Sequence, residues 1–174
     1  MNRTPTFLFN DKILVGRSVR KYFLFNHYIL GKVLSGHALS IQIDTWVSKG
    51  VIEMSTGQAM QNVVDNEEWT DLSDQTFVLF GAGSAMGPYP LLMALGANVI
   101  ALDLDRPGIW QRLFKIAKES PGTLTFPMRE KVSELDETKM AEVAGCNLLT
   151  ATPEIRNWLL TVKPEERLIC GAYA

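Results

Sequence analysis

Residues 77–90 read F-V-L-F-G-A-G-S-A-M-G-P-Y-P: four apolar residues, three glycines within seven positions, then two prolines. The apolar run after Thr76 predicts a buried strand over Thr76–Phe80. Residues 88–95 predict a helix, since prolines are tolerated in a first turn whose N–H groups have no intrahelical partner; Gly96 ends it. Strand, glycine turn and helix in this order can hold a diphosphate. One glycine permits the tight turn, another lets the backbone approach the phosphate oxygens, and a third lets helix and strand pack closely, while N–H groups at the helix start face the anion. Gly81, Gly83 and Gly87 stand in those places, Ser84 adds a hydroxyl, and Ala85 and Met86 complete the turn. The spacing is G-x-G-x-x-x-G, one residue longer than the stricter G-x-G-x-x-G.

Moving outward, the strand–helix alternation continues. Residues 98–102 (N-V-I-A-L) predict a second strand closed by Asp103, 20 residues beyond Gly83. A carboxylate at that point can accept both hydrogens of an adenosine ribose diol. It would repel a 2′-phosphate, which favours NAD; Arg106 offsets that and keeps NADP as the alternative, while Asp105 and Arg106 otherwise read as a solvated loop. Ile109, Leu113, Ile116 and Ala117 form a helical stripe ended by Pro121-Gly122. Residues 123–126 predict a third strand, 137–144 a helix, and 146–149 a fourth strand. Thr152, as cap, opens a helix through Leu160, and residues 168–170 predict a fifth strand. Such alternation implies right-handed crossovers and an α/β fold with a doubly wound parallel sheet of about five strands.

Residues 1–75 lack this alternation and read as a mainly helical N-terminal region, with a boundary near residue 75. Ile43, Trp46, Val47, Gly50, Val51 and Met54 share one helical face, and Ser55 can cap a following helix carrying Ala59, Met60, Val63 and Val64. The aromatic run around Tyr22-Phe23-Leu24-Phe25 and Tyr28-Ile29-Leu30 is read as helix in preference to strand.

Composition narrows the function classes. A chain of 174 residues suits one domain with a small appendage. With 17 basic against 19 acidic residues and no basic stripe, nucleic acid is not an expected partner. No secretory signal and no run of 18 apolar residues occurs, so no membrane span is expected. Cys146 and Cys170 stand apart from any ligand-spaced His or Cys, which predicts buried free thiols, no metal site and the cytoplasm.

The stretches G-A-G-S-A-M-G (81–87) and L-G-A-N-V-I-A-L-D (95–103) together resemble the cofactor half of NAD(P)-binding Rossmann-fold dehydrogenases. The seven-residue glycine span is similar to that of short-chain dehydrogenase/reductases. In that pattern Gly81 and Gly87 match the first and last glycines, Ala85 stands where the middle glycine is usual, and Asp103 matches the ribose-binding acid. Residues 145–153 (G-C-N-L-L-T-A-T-P) resemble the fourth strand and following loop that pass beside the nicotinamide ribose, which brings in Ala151 and Thr152. The resemblance covers 76–174 and implies a dinucleotide cofactor, a small-molecule substrate and hydride transfer.

The catalytic Tyr-x-x-x-Lys of the short-chain family is missing after the glycine turn; Tyr28 and Lys32 have its spacing but precede the turn. The chain stops just after the fifth strand, so either it is a truncated portion of an enzyme or the N-terminal region is the substrate half. His27 and His37 are the only histidines and sit in apolar contexts that fit structural roles, as do the four tryptophans, which read as core. No catalytic residue is assigned. Two alternatives stand beside the NAD(P)-dependent oxidoreductase: an S-adenosylmethionine-dependent methyltransferase, disfavoured by Leu79 where an acid is usual, and a non-catalytic nucleotide-binding domain. An exposed sheet edge after residue 174 would predict self-association into a homo-oligomer.

Overall fold

The computed structural model describes residues 10–15, 26–29, 32–130 and 136–173. They form two compact units, one built from 10–15 with 72–173 and the other from residues up to 71.

In the first unit, β1 (Asn10–Val15) runs antiparallel to β6 (Thr123–Met128). Beyond β6 lie β5 (Asn98–Leu102), β4 (Thr76–Phe80) and β7 (Leu168–Ala172), giving the order β1-β6-β5-β4-β7 with the last four strands parallel. Both faces of the middle strands are covered, which is why they read as continuous apolar runs. Leu79, Val99 and Ala101 join Leu92 and Met93 of α3 (Tyr89–Ala94) and Met140 of α5 (Glu137–Val143). The stripe Trp110, Leu113, Phe114 and Ala117 of α4 (Pro107–Lys118) completes this cluster, at the i, i+3, i+4, i+7 spacing of one helical face. On the other face Val78, Ile100 and Leu102 pack with Ile155 and Trp158 of α6 (Thr152–Val162).

The second unit pairs β2 (Asn26–Ile29) with β3 (Lys32–Ser35) in an antiparallel hairpin, followed by α1 (Gly36–Ser48), α2 (Met54–Asp65) and a 3₁₀ turn at Glu67–Thr70. Leu39 and Ile43 are buried here, and Gln61 Nε2 donates to Ser40 Oγ at 2.7 Å between the two helices.

Several sequence expectations need correction. Residues 146–149 are a turn, not a strand: Gly145 adopts φ +91, and Asn147 Oδ1 accepts from Leu149 N (2.9 Å) and Thr150 N (3.1 Å), an Asx turn that curls the chain into α6. The fourth parallel strand is therefore β7, and a fifth sheet member, β1, comes antiparallel from the N-terminal segment. Ala151, not Thr152, occupies the N-cap of α6, and Glu53, not Ser55, that of α2. The stripe starting at Ile43 is split, because α1 ends at Ser48 and α2 starts at Met54. Residues 26–29 are strand, while 22–25 lie outside the described residues. Cys170 is exposed, because it sits on β7, which pairs with β4 alone. Trp69 is also exposed; Trp110 and Trp158 are buried.

Candidate functional site

The sheet register sets the site. Phe80 pairs with both Leu102 and Ala172, so β4, β5 and β7 end level and the segments that follow them emerge together. Strand succession runs from β4 through β5 to β6 on one side and then returns to place β7 on the other side of β4. The glycine turn thus follows the strand at which the sheet order reverses.

Gly81 takes φ +81, a left-handed conformation that a side chain would strain. Its N–H and that of Ala82 both donate to Leu102 O, at 2.8 and 3.3 Å, which roots the turn on the end of β5. Gly83 N donates to Asp103 Oδ2 at 2.6 Å, and Leu104 N donates to Asp103 Oδ1 at 2.7 Å. Asp103 is only 6% exposed. The Arg112 guanidinium, from α4, donates to Gly83 O. A Cβ on Gly83 would lie 2.5 Å from Ile109 Cγ2 and 3.0 Å from Asp103 Oδ2, so glycine is what lets the turn sit against α4. Ser84 N donates back to Gly81 O at 3.0 Å and Gly87 N to Ser84 O at 3.1 Å. Among the described residues no acceptor faces the N–H of Ala85, the N–H of Met86 or the Ser84 hydroxyl, and Met86 is 90% exposed. The helix that follows is six residues long, and Pro88 and Pro90 bring no N–H, so its start offers fewer donors to an anion than an ordinary helix N-terminus.

Seven of the nine residues named from sequence therefore gather here: the turn residues Gly81, Gly83, Ser84, Ala85, Met86 and Gly87, and Asp103. Ala151 and Thr152 have no hydrogen bond to the turn. Thr152 Oγ1 donates to Leu148 O at 3.1 Å, and its side chain shares with Phe80, Ile155, Leu159 and Leu168 the wall of a cavity of about 530 Å³ between α6 and β7. Sequence reading missed that cavity, because the exposed side of α6 carries no distinctive residue. It also missed Arg112, an ordinary basic position on a helix surface.

Behind the turn, Cys146 N donates to Asp103 O at 2.9 Å. Burial pushes the Cys146 thiol from its ordinary 9.0 up to about 12, and the charges of Asp105 and Asp103 push the same way. A thiol held protonated is no nucleophile at neutral pH. His37 is exposed on α1. Among the described residues no cluster of His, Cys, Asp and Glu could hold a metal ion, and no helix is long and apolar enough to cross a membrane.

No protein-family model, no curated protein and no solved structure matches the chain.

Proposed function

We propose that the first unit is a Rossmann-like, doubly wound nucleotide-binding domain and that the chain is an NAD(P)-dependent oxidoreductase, or the cofactor-binding portion of one. One observation carries this: a glycine turn whose donors have no partner among the described residues follows the strand at which the parallel part of the sheet reverses its order, the crevice where α/β sheets bind nucleotides. Ser84 Oγ and the N–H groups of Ala85 and Met86 would hold the diphosphate. Such donors suit an oxyanion because they are fixed by the turn and need no reordering. The reaction would be hydride transfer to or from a small molecule, a chemistry that belongs to the cofactor; the chain's part is to bind and orient it. NAD is the expected cofactor, with NADP as the alternative. The second unit, with the β2–β3 hairpin, α1 and α2, is then the part left for the substrate. A cytoplasmic location fits two cysteines that form no disulfide.

Calorimetric titration of the chain with NADH, NADPH and S-adenosylmethionine tests the reading. Saturable binding of NADH or NADPH is expected. Binding of S-adenosylmethionine alone would move the protein to the methyltransferases, and binding of none of the three would remove the nucleotide assignment.

A further inference from the structure

Resting on that nucleotide reading, we propose that Asp103 and Arg112 form a clamp on Gly83, and that Asp103 reads the turn rather than the cofactor's ribose. A ribose diol needs a carboxylate that it can reach, with a lone pair free on each oxygen. Here Oδ2 receives Gly83 N at 2.6 Å, Oδ1 receives Leu104 N at 2.7 Å, and the residue is 6% exposed. The carbonyl of the same glycine, Gly83 O, which belongs to the next peptide group, takes a hydrogen bond from Arg112. The peptide between Gly83 and Ser84 is thereby tied to α4, while the Gly83 N–H is tied to the end of β5. Leu104 is in turn fixed by Trp110, whose Nε1 donates to Leu104 O at 3.0 Å. The acid lies 20 residues from Gly83 and Arg112 lies 29 residues from it, so a single glycine joins three separate segments.

The consequence for binding is physical. The turn's open donors, at Ser84, Ala85 and Met86, lie just past the clamped residue. Holding Gly83 at both sides fixes their direction before an anion arrives, which lowers the ordering cost of binding. Charge-assisted hydrogen bonds from and to ionised groups are the strong ones, so Asp103 and Arg112 suit a clamp better than neutral residues would. Asp103 and Arg112 are positioning residues in this scheme. Neither needs to touch the ligand.

The test uses the ¹⁵N-labelled full chain and follows the Gly83 amide by hydrogen exchange, with no ligand present. Slow exchange is expected, faster by about 10- to 100-fold in Asp103→Asn, which takes the charge-assisted acceptor from that N–H, and faster by a smaller factor in Arg112→Ala, which frees only Gly83 O and so loosens the residue. Arg112→Lys, which keeps a cationic donor, should restore most of the protection. Melting temperature should barely move in Arg112→Ala, since the side chain is exposed, which separates a clamp from a general loss of folding. The same samples are then titrated with ADP and with 2′,3′-dideoxy-ADP, which share the diphosphate and differ in the diol. Equal affinity of the unaltered chain for both, and equal weakening of both in Asp103→Asn and Arg112→Ala, support the clamp. Weakening of ADP alone in Asp103→Asn returns the acid to the ribose and overturns the proposal. Exchange at Gly83 that ignores both substitutions overturns it as well. If neither nucleotide binds any form while Gly83 protection still depends on both side chains, the clamp stands as an element of the fold and the dinucleotide reading fails.

Discussion

Gly145 passes so close to Trp110 that a Cβ at that position would lie 2.5 Å from Trp110 Nε1. The same atom would lie 2.7 Å from Leu104 O and 2.9 Å from Asp103 O, and Gly145 also has φ +91. Its other neighbours are backbone and cannot move aside, so Gly145→Ala should destabilise by about 1–3 kcal/mol. At about 2–4 °C per kcal/mol, thermal unfolding followed by circular dichroism would register it. An unchanged melting temperature would mean that the loop before α6 shifts freely.

Tyr89 is buried and donates its hydroxyl to Leu113 O at 2.9 Å, tying α3 to α4. Burial pushes its phenol well above the ordinary tyrosine value, so it stays protonated. Tyr89→Phe keeps the ring and removes the donor, leaving a buried carbonyl with one partner fewer. The expected loss is about 1–2 kcal/mol, read from the midpoint of urea unfolding.

The glycines of the turn differ in what they tolerate. At Gly83 a methyl group meets Ile109 Cγ2 at 2.5 Å, whereas at Gly87 its nearest neighbour is Ser84 O at 3.3 Å. Gly83→Ala should therefore weaken NADH binding at least about tenfold, the equivalent of about 1.4 kcal/mol, and lower the melting temperature. Gly87→Ala should change both much less. A reversed order would show that the second half of the turn is the part that approaches the ligand.

Thiol chemistry should separate the two cysteines. Cys170 is exposed and Cys146 is buried with its thiol pushed up to about 12. Iodoacetamide at pH 8 should label Cys170 in the folded chain and Cys146 only after denaturation, as mass spectrometry of the digested protein would report. The same shift has a stability consequence. Folded Cys146 keeps its proton up to about 12, whereas the unfolded thiol loses it near 9.0, so its contribution is complete below pH 9 and is lost as pH rises toward 12. Cys146→Ala should flatten that alkaline loss.

Much of the first unit was legible because local chemistry and tertiary need coincide there. The strands at 76–80 and 98–102 are buried on both faces, so their apolar runs stand out; the α4 stripe read at Ile109, Leu113, Ile116 and Ala117 found the helix but only half of its inner face, which Trp110 and Phe114 complete while Ile109 and Ile116 are partly buried. The short run C-N-L-L at 146–149 misled because four residues are too few to show a period: only Cys146 is buried and Leu149 is exposed, and the outcome rests on Gly145 and Asn147. In the second unit the helical stripe spanned a break, since periodicity carries on through a short connection between two packed helices.

By itself the sequence determined that a strand, a glycine turn and an acid follow one another at residues 76–103, because strand burial and turn geometry are local demands. It could not say where β7 goes, that β1 joins the far edge, or which way the Asp103 carboxylate faces. Those depend on pairings across 90 or more residues and on which donors the packed backbone leaves beside the acid. Only the tertiary structure brought Arg112 to the carbonyl of Gly83, since a basic residue on a helix surface carries no sign of the loop it will meet.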